Sequence, residues 1–193
     1  MKNNFFIISD DCWSLGIYNK FNMKYNSPFV NLFIHTPCYI KLLNNLDDYL
    51  NSELIFIEES KYKQPFKNIK PYVIGKLKDI EIHFSHYKSG TYPTTDIKNK
   101  WERRLKRLTT NKDNIIFKMG CWYHDNKQEY SKDYDSYIKE FHNMKYKNKI
   151  SFTIKKYNYK NNFVMSSEHI GNVTKAGMEV DQYCDFLKTI NKV

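Results

Sequence analysis

The sequence predicts a layered α/β/α fold with a mixed β-sheet, in one domain spanning residues 1–193. Three observations predict it. Short continuous apolar runs alternate along the chain with stripes of helical spacing, the order that lays helices on the faces of a sheet. One pair of apolar runs is separated only by Lys78-Asp79, which adds a hairpin and so an antiparallel pair. Apolar residues make up 41% of the chain and aromatic residues 17%, a composition that folds around a core. There is no internal repeat, and no linker is long enough to divide the chain.

Each element has its own signal. Phe5-Phe6-Ile7-Ile8 is a continuous apolar run, which suits a strand covered on both faces. Asp10 or Asp11 then caps a helix beginning near Cys12. Residues 29–34 read as strand or helix, since periodicity does not decide between them. Pro37 fits a first helical turn, and Ile40, Leu43, Leu46 and Leu50 follow as an amphipathic stripe widened by Leu42 and Tyr49. Leu54-Ile55-Phe56-Ile57 is a buried strand. Residues 60–71 are polar, contain Pro65 and Pro71, and read as a loop. Tyr72 to Leu77 and Ile80 to Phe84 form the hairpin. After a loop through Gly90 and Pro93, the residues Ile97, Trp101, Leu105 and Leu108 mark a helix. Ile115-Ile116-Phe117 is a strand. Tyr134, Tyr137, Ile138 and Phe141 give a weaker helix. Residues 150–154 alternate as a strand with one wet face, and Val180, Tyr183, Leu187 and Ile190 mark a closing helix.

The formal net charge is +10, which favours anionic partners. Part of it follows from a Lys- and Asn-rich composition of the kind AT-rich coding produces. The arginines do not. All three, Arg103, Arg104 and Arg107, fall within five residues, and every other basic side chain is lysine. Guanidinium is planar, forks two hydrogen bonds to phosphate or carboxylate, and sheds water more readily than ammonium. On the helix around Trp101, Lys100, Arg103, Arg104 and Arg107 share one arc beside the apolar stripe. That arc reads as an anion or phosphate site. It also reads as a solvated face, or as a set of packing partners for carboxylates.

Two further clusters carry candidate chemistry. Asp10, Asp11 and Cys12 follow the first strand, where open α/β sheets place ligands. The acids suit proton transfer or a cation, and a cysteine at a helix start suits a nucleophile. The plainer alternative is a cap and a packed thiol. Glu81 and His83 share a strand face, so His83 is a candidate general base oriented by Glu81. His86 falls on the apolar face unless the strand ends before it. Cys121-Trp122-Tyr123-His124 has suggestive chemistry but no partner legible in sequence. The four cysteines are far apart with no CxxC, so neither a zinc site nor a disulfide framework is expected. Neither GxGxxG nor GxxxxGK[ST] occurs, and no cofactor is expected. The N-terminal run is too short for a signal peptide, and no stretch reaches the ~18 apolar residues of a membrane span. The expected compartment is the cytoplasm, with membrane contact only peripheral.

Three blocks carry a resemblance. They are Ile7-Ile8-Ser9-Asp10-Asp11-Cys12-Trp13, the run from Tyr25 to Ile34, and the run from Ile74 to Phe84 followed by Lys100-Trp101-Glu102-Arg103-Arg104. Together and in this order they resemble a bacterial family of unassigned function often labelled exopolysaccharide biosynthesis protein-like. The resemblance implies an α/β fold and a setting among genes for capsule, exopolysaccharide or lipopolysaccharide assembly, sometimes with an acyltransferase label. It implies no catalytic residue. Relatives look more like Asn-Asn-Cys-Trp-Gly-Gly at the first turn, whereas this chain has Asp10-Asp11-Cys12-Trp13-Ser14-Leu15. The glycine pair that would bring backbone close to a phosphate is missing. The expected function is a glycosyl or acyl transferase, or an accessory protein, in surface-polysaccharide assembly that binds a phosphorylated donor. The alternative is a non-catalytic module for an anionic glycan, lipid phosphate or partner protein. Nucleic acid is disfavoured, because only the net charge and one basic helix speak for it.

Overall fold

A computed structural model describes residues 5–62, 71–120, 133–153, 155–164 and 187. In chain order come β1 (Phe6–Ser9), α1 (Trp13–Lys20), α2 (Thr36–Asn44), α3 (Leu46–Leu50), β2 (Leu54–Ile57), β3 (Tyr72–Leu77), β4 (Ile80–Lys88), α4 (Thr94–Leu105), β5 (Ile115–Gly120), α5 (Tyr134–Asn143), β6 (Lys149–Thr153) and β7 (Asn162–Val164). The fold is α/β. Its parallel strands form one sheet in the order β1-β5-β6-β7, and β2-β3-β4 form a second, antiparallel sheet. The two meet through a single extended step. Phe33 exchanges both backbone hydrogen bonds with His83 of β4 at 2.8 Å, and the Ile34 N–H donates to the carbonyl of Asp10 just past β1 at 2.8 Å. Residues 29–34, ambiguous in sequence, are therefore neither strand nor helix but irregular chain around one bridging residue.

Alternation along the parallel strands explains the layers. Ile7, Ile116, Ile150 and Phe152 face one core with Trp13 and Ile17 of α1. Ile8, Ile115, Phe117 and Met119 face the other, with side chains of α2, α4, α5 and the antiparallel sheet. Successive strand residues point to opposite faces, so a run without polar interruption is what a sheet covered on both sides requires. The amphipathic segment after Pro37 breaks at Asn45 (φ −135°, ψ 45°) into α2 and α3. In α4, Ile97 and Trp101 are buried, and the Trp101 ring stands edge-on to Phe29 and Phe84.

Two expectations are corrected. The strand at residues 150–153 has no wet face, for Ser151 and Thr153 are both fully buried. Their hydroxyls accept from the Asn162 amide at 2.9 Å, and His142 Nε2 lies 2.8 Å from Ser151 Oγ. Alternation of polar with apolar residues marks solvent only when the polar groups lack internal partners. Nor does His86 sit on the apolar face. Phe84 pairs with Val73 and Lys88 with Tyr72, so three residues of β4 bulge out opposite none of β3. A bulge suspends alternation and re-aims side chains, and it leaves His86 exposed. Of the closing-helix residues only Leu187 is described. It is buried against the α1 side of the parallel sheet, and Val180, Tyr183 and Ile190 lie outside the described residues.

Candidate functional site

The site is built on a buried charge cluster. Lys118 sits in the middle of β5, fully buried, where its apolar neighbours predict another apolar side chain. Its ammonium lies 3.1 Å from Asp10 Oδ1 and also contacts Asp11 Oδ2. The remaining oxygens are engaged as well. Asp10 Oδ2 accepts the Gly120 N–H at 2.9 Å, and Asp11 Oδ1 accepts the Trp13 N–H at 3.0 Å and the Ser9 hydroxyl at 3.1 Å. The cap position itself falls on Cys12, which makes no side-chain cap hydrogen bond; Asp11, one residue earlier, instead accepts the first N–H of α1. Burial pushes the Asp10 carboxyl up to about 7, the Lys118 charge opposes this and the Asp11 charge adds to it. Two acids and one lysine share the space, so a proton on Asp10 makes the cluster neutral. Both acids are spent on this clamp, which fixes the turn between β1 and α1.

That turn presents Cys12. Its Sγ lies 3.1 Å from His86 Nε2, and the Leu32 carbonyl is 3.7 Å away. Cys12 is half-buried and His86 exposed, so the pair is open to solvent. Burial, together with the Asp11 charge, pushes the Cys12 thiol up to about 12, while Ser85 and Lys118 pull it down less strongly. Burial lowers the His86 imidazole. At neutral pH the pair is a thiol facing a neutral ring.

His83 lies deeper. It is 1% exposed, with Nε2 3.4 Å from Glu81 Oε2 and Nδ1 3.2 Å from the Tyr72 hydroxyl. His35 packs edge-on against it and stacks on Tyr62. Burial pushes the Glu81 carboxyl up, but His83, the Ser60 hydroxyl and the Lys61 N–H together pull harder and hold it at about 2. Burial and the His83 charge bring His35 down to about 3. Glu81 and His83 do pair, as their spacing implies, within a closed polar knot with Ser60, Lys61 and Tyr72. Among the described residues no group of three or more His, Cys, Asp or Glu side chains is placed to hold a metal ion.

The arginines open onto a cavity of about 410 Å³. Arg103, Arg104 and Arg107 line it with Tyr18, Asn19, Asn22, Met23, Lys24 and Tyr25. Tyr25 organises the wall. Its ring lies 5.5 Å from the Arg104 guanidinium carbon, its carbonyl accepts from Arg107 Nη1 at 3.5 Å, and its hydroxyl donates to Asn19 at 2.8 Å. Arg104 Nη1 also donates to the Val30 carbonyl at 3.3 Å. Among the described residues no carboxylate stands within ion-pair distance of the three arginines. Lys100 turns away and donates to the Tyr87 hydroxyl at 2.6 Å.

The first turn and the β4 segment therefore meet at Cys12 and His86, while the arginine cavity lies at the other end of α1. Sequence reasoning missed Lys118, Tyr25 and Lys24, and it did not pair His86 with Cys12. Lys118 had a signal, a lysine inside an apolar strand run. The pairing of His86 had none, because it depends on a bulge. Cys121 to His124 lie outside the described residues. No helix among the described residues is long and apolar enough to cross a membrane.

A family model described as Domain of unknown function (DUF1919) matches residues 1–192. The chain is also similar to a protein of Haemophilus influenzae titled "Uncharacterized protein", at 33% identity over 151 residues. That match covers 78% of this chain and 62% of the Haemophilus protein, so this chain spans less than two thirds of that relative's length.

Two predictions test the charge assignments. Lys118→Met leaves Asp10 and Asp11 buried without a cation, and chemical denaturation is expected to show a loss of about 3–5 kcal/mol at pH 7. The loss shrinks in acid: the raised Asp10 pKa means that its contribution is complete below pH ~4 and lost as pH rises through about 7. The Glu81 carboxyl runs the other way. Its native pKa is depressed, so its contribution is complete above pH ~4.3 and lost as pH falls toward about 2. Glu81→Gln is expected to lower the melting temperature at pH 7 and to flatten its decline between pH 5 and 2 (roughly the window of that titration).

Proposed function

The chain belongs to the DUF1919 family, a family of unknown function, and we propose that it is a transferase of surface-polysaccharide assembly that takes a phosphorylated donor. One observation carries the reading: three guanidiniums line one cavity with no carboxylate among the described residues to neutralise them. Grouped cations left uncompensated beside a concavity repel one another, and an anion relieves that repulsion. Forked donors match phosphate oxygens, and an arginine clamp also stabilises charge that develops on a phosphate as it leaves. The Tyr25 ring, partly exposed at the same cavity, offers a flat surface to a base or sugar. The polysaccharide setting comes from the exopolysaccharide-like resemblance of the blocks described above. Cys12 and His86 are the groups placed to handle protons.

A second reading is a non-catalytic module that holds an anionic glycan, lipid phosphate or partner protein. It is favoured by the fact that neither Cys12 nor His86 lines the arginine cavity. Turnover separates the two: a bound donor is consumed in the presence of an acceptor only if the chain is a transferase.

Melting curves with UDP, nucleotide sugars and acetyl-CoA test the donor. At a hundredfold excess over the dissociation constant the melting temperature is expected to rise by about 5 °C or more. Arg103→Ala or Arg107→Ala is expected to weaken binding about tenfold, as the loss of one charged hydrogen bond requires. A folded protein whose melting temperature none of these ligands shifts would overturn the reading.

A further inference from the structure

We infer that Cys12 and His86 are a nucleophile and general-base pair for acyl transfer, with a thioester as the donor and a hydroxyl as the acceptor. The inference deepens the transferase reading and rests on it for the phosphate that the donor carries.

Geometry supports the pair from both sides. Cys12 is placed by the Asp11 bond to the Trp13 N–H and the Lys118 clamp, and His86 is placed by the β4 bulge. Two unrelated devices from residues 74 apart bring Sγ and Nε2 to 3.1 Å, within reach for direct proton transfer. Neither group is needed for packing in the way the buried histidines are. His35 and His83 lie fully inside, whereas His86 is exposed and Cys12 half-buried at the first turn of an eight-residue helix. The imidazole nitrogen 3.1 Å from Sγ is the group within reach to take the thiol proton.

The chemistry balances without an outside oxidant or reductant. His86 Nε2 takes the Cys12 proton as Sγ attacks the thioester carbonyl. The carbon–sulfur bond of the donor breaks, the departing thiolate takes that proton, and an acyl-Cys12 thioester remains. The acceptor hydroxyl then attacks the same carbonyl while His86 removes its proton. The Cys12–acyl bond breaks, and the proton returns to sulfur. A thioester whose carrier ends in phosphates fits the layout, because α1 separates the pair from the arginine cavity by about 12 Å of helix and a long flexible carrier arm spans such a gap.

The test uses p-nitrophenyl acetate and acetyl-CoA on the whole chain, read by p-nitrophenol release and by peptide mass mapping. The expected result is acetylation at Cys12 with both donors. Cys12→Ala is expected to abolish it, and His86→Gln to slow it about a hundredfold or more, with an unchanged melting temperature because His86 is exposed. A folded wild-type protein with no acetyl group on Cys12, or acetylation of His86→Gln at the wild-type rate, would overturn the inference. The two readings fail separately. p-Nitrophenyl acetate has no phosphate and so reports on the pair alone, while the melting shift with UDP reports on the cavity alone.

Discussion

The buried ammonium of Lys118 is the constraint on which the rest of the structure depends. A lysine at the centre of a parallel sheet is tolerated only with its charge matched, and Asp10 and Asp11 supply the match from the adjacent strand end. Because both acids are held there, the turn from β1 into α1 has one geometry. Asp11 accepts the Trp13 N–H at the start of the helix, the Asp10 carbonyl receives the Ile34 N–H, and Phe33 reaches His83. A single cluster thereby orients α1, joins the two sheets and sets Cys12 at the surface.

The same matching explains the contrast between the two basic sites. Carboxylates near the first turn are consumed by Lys118, and those of the antiparallel sheet by His83 or by surface lysines such as Lys41 on Asp79. Among the described residues no carboxylate lies within ion-pair distance of Arg103, Arg104 or Arg107. Their partners are carbonyls and the Tyr25 ring, which fix direction without cancelling charge. The cavity keeps its positive potential, and that potential is available to an external anion.

Much of this architecture was legible in the sequence where local pattern decides it. Phe5 to Ile8, the Lys78-Asp79 hairpin and the Ile97–Trp101 stripe all specify their elements through periodicity, and the clustering of arginine marks the cavity wall. What was not legible depends on distance in sequence. Ser151 and Thr153 alternate as on a wet strand, and only Asn162 and His142 reveal them as buried. Lys100 shares the arginine arc, yet Tyr87 from the bulge draws it away. Cys12 stood out alone as a candidate nucleophile, but its partner His86 did not, since their pairing is fixed by a clamp and a bulge in different sheets.

A crystal of the protein soaked in pyrophosphate tests the central claim most directly, because that ion carries the donor's charge and nothing else. The account predicts density for the ion in the cavity beside Tyr25, with oxygens within hydrogen-bonding distance of Arg103, Arg104 and Arg107. Well-ordered arginines around a cavity that stays empty of pyrophosphate, or guanidiniums found paired with carboxylates of their own chain, would contradict it.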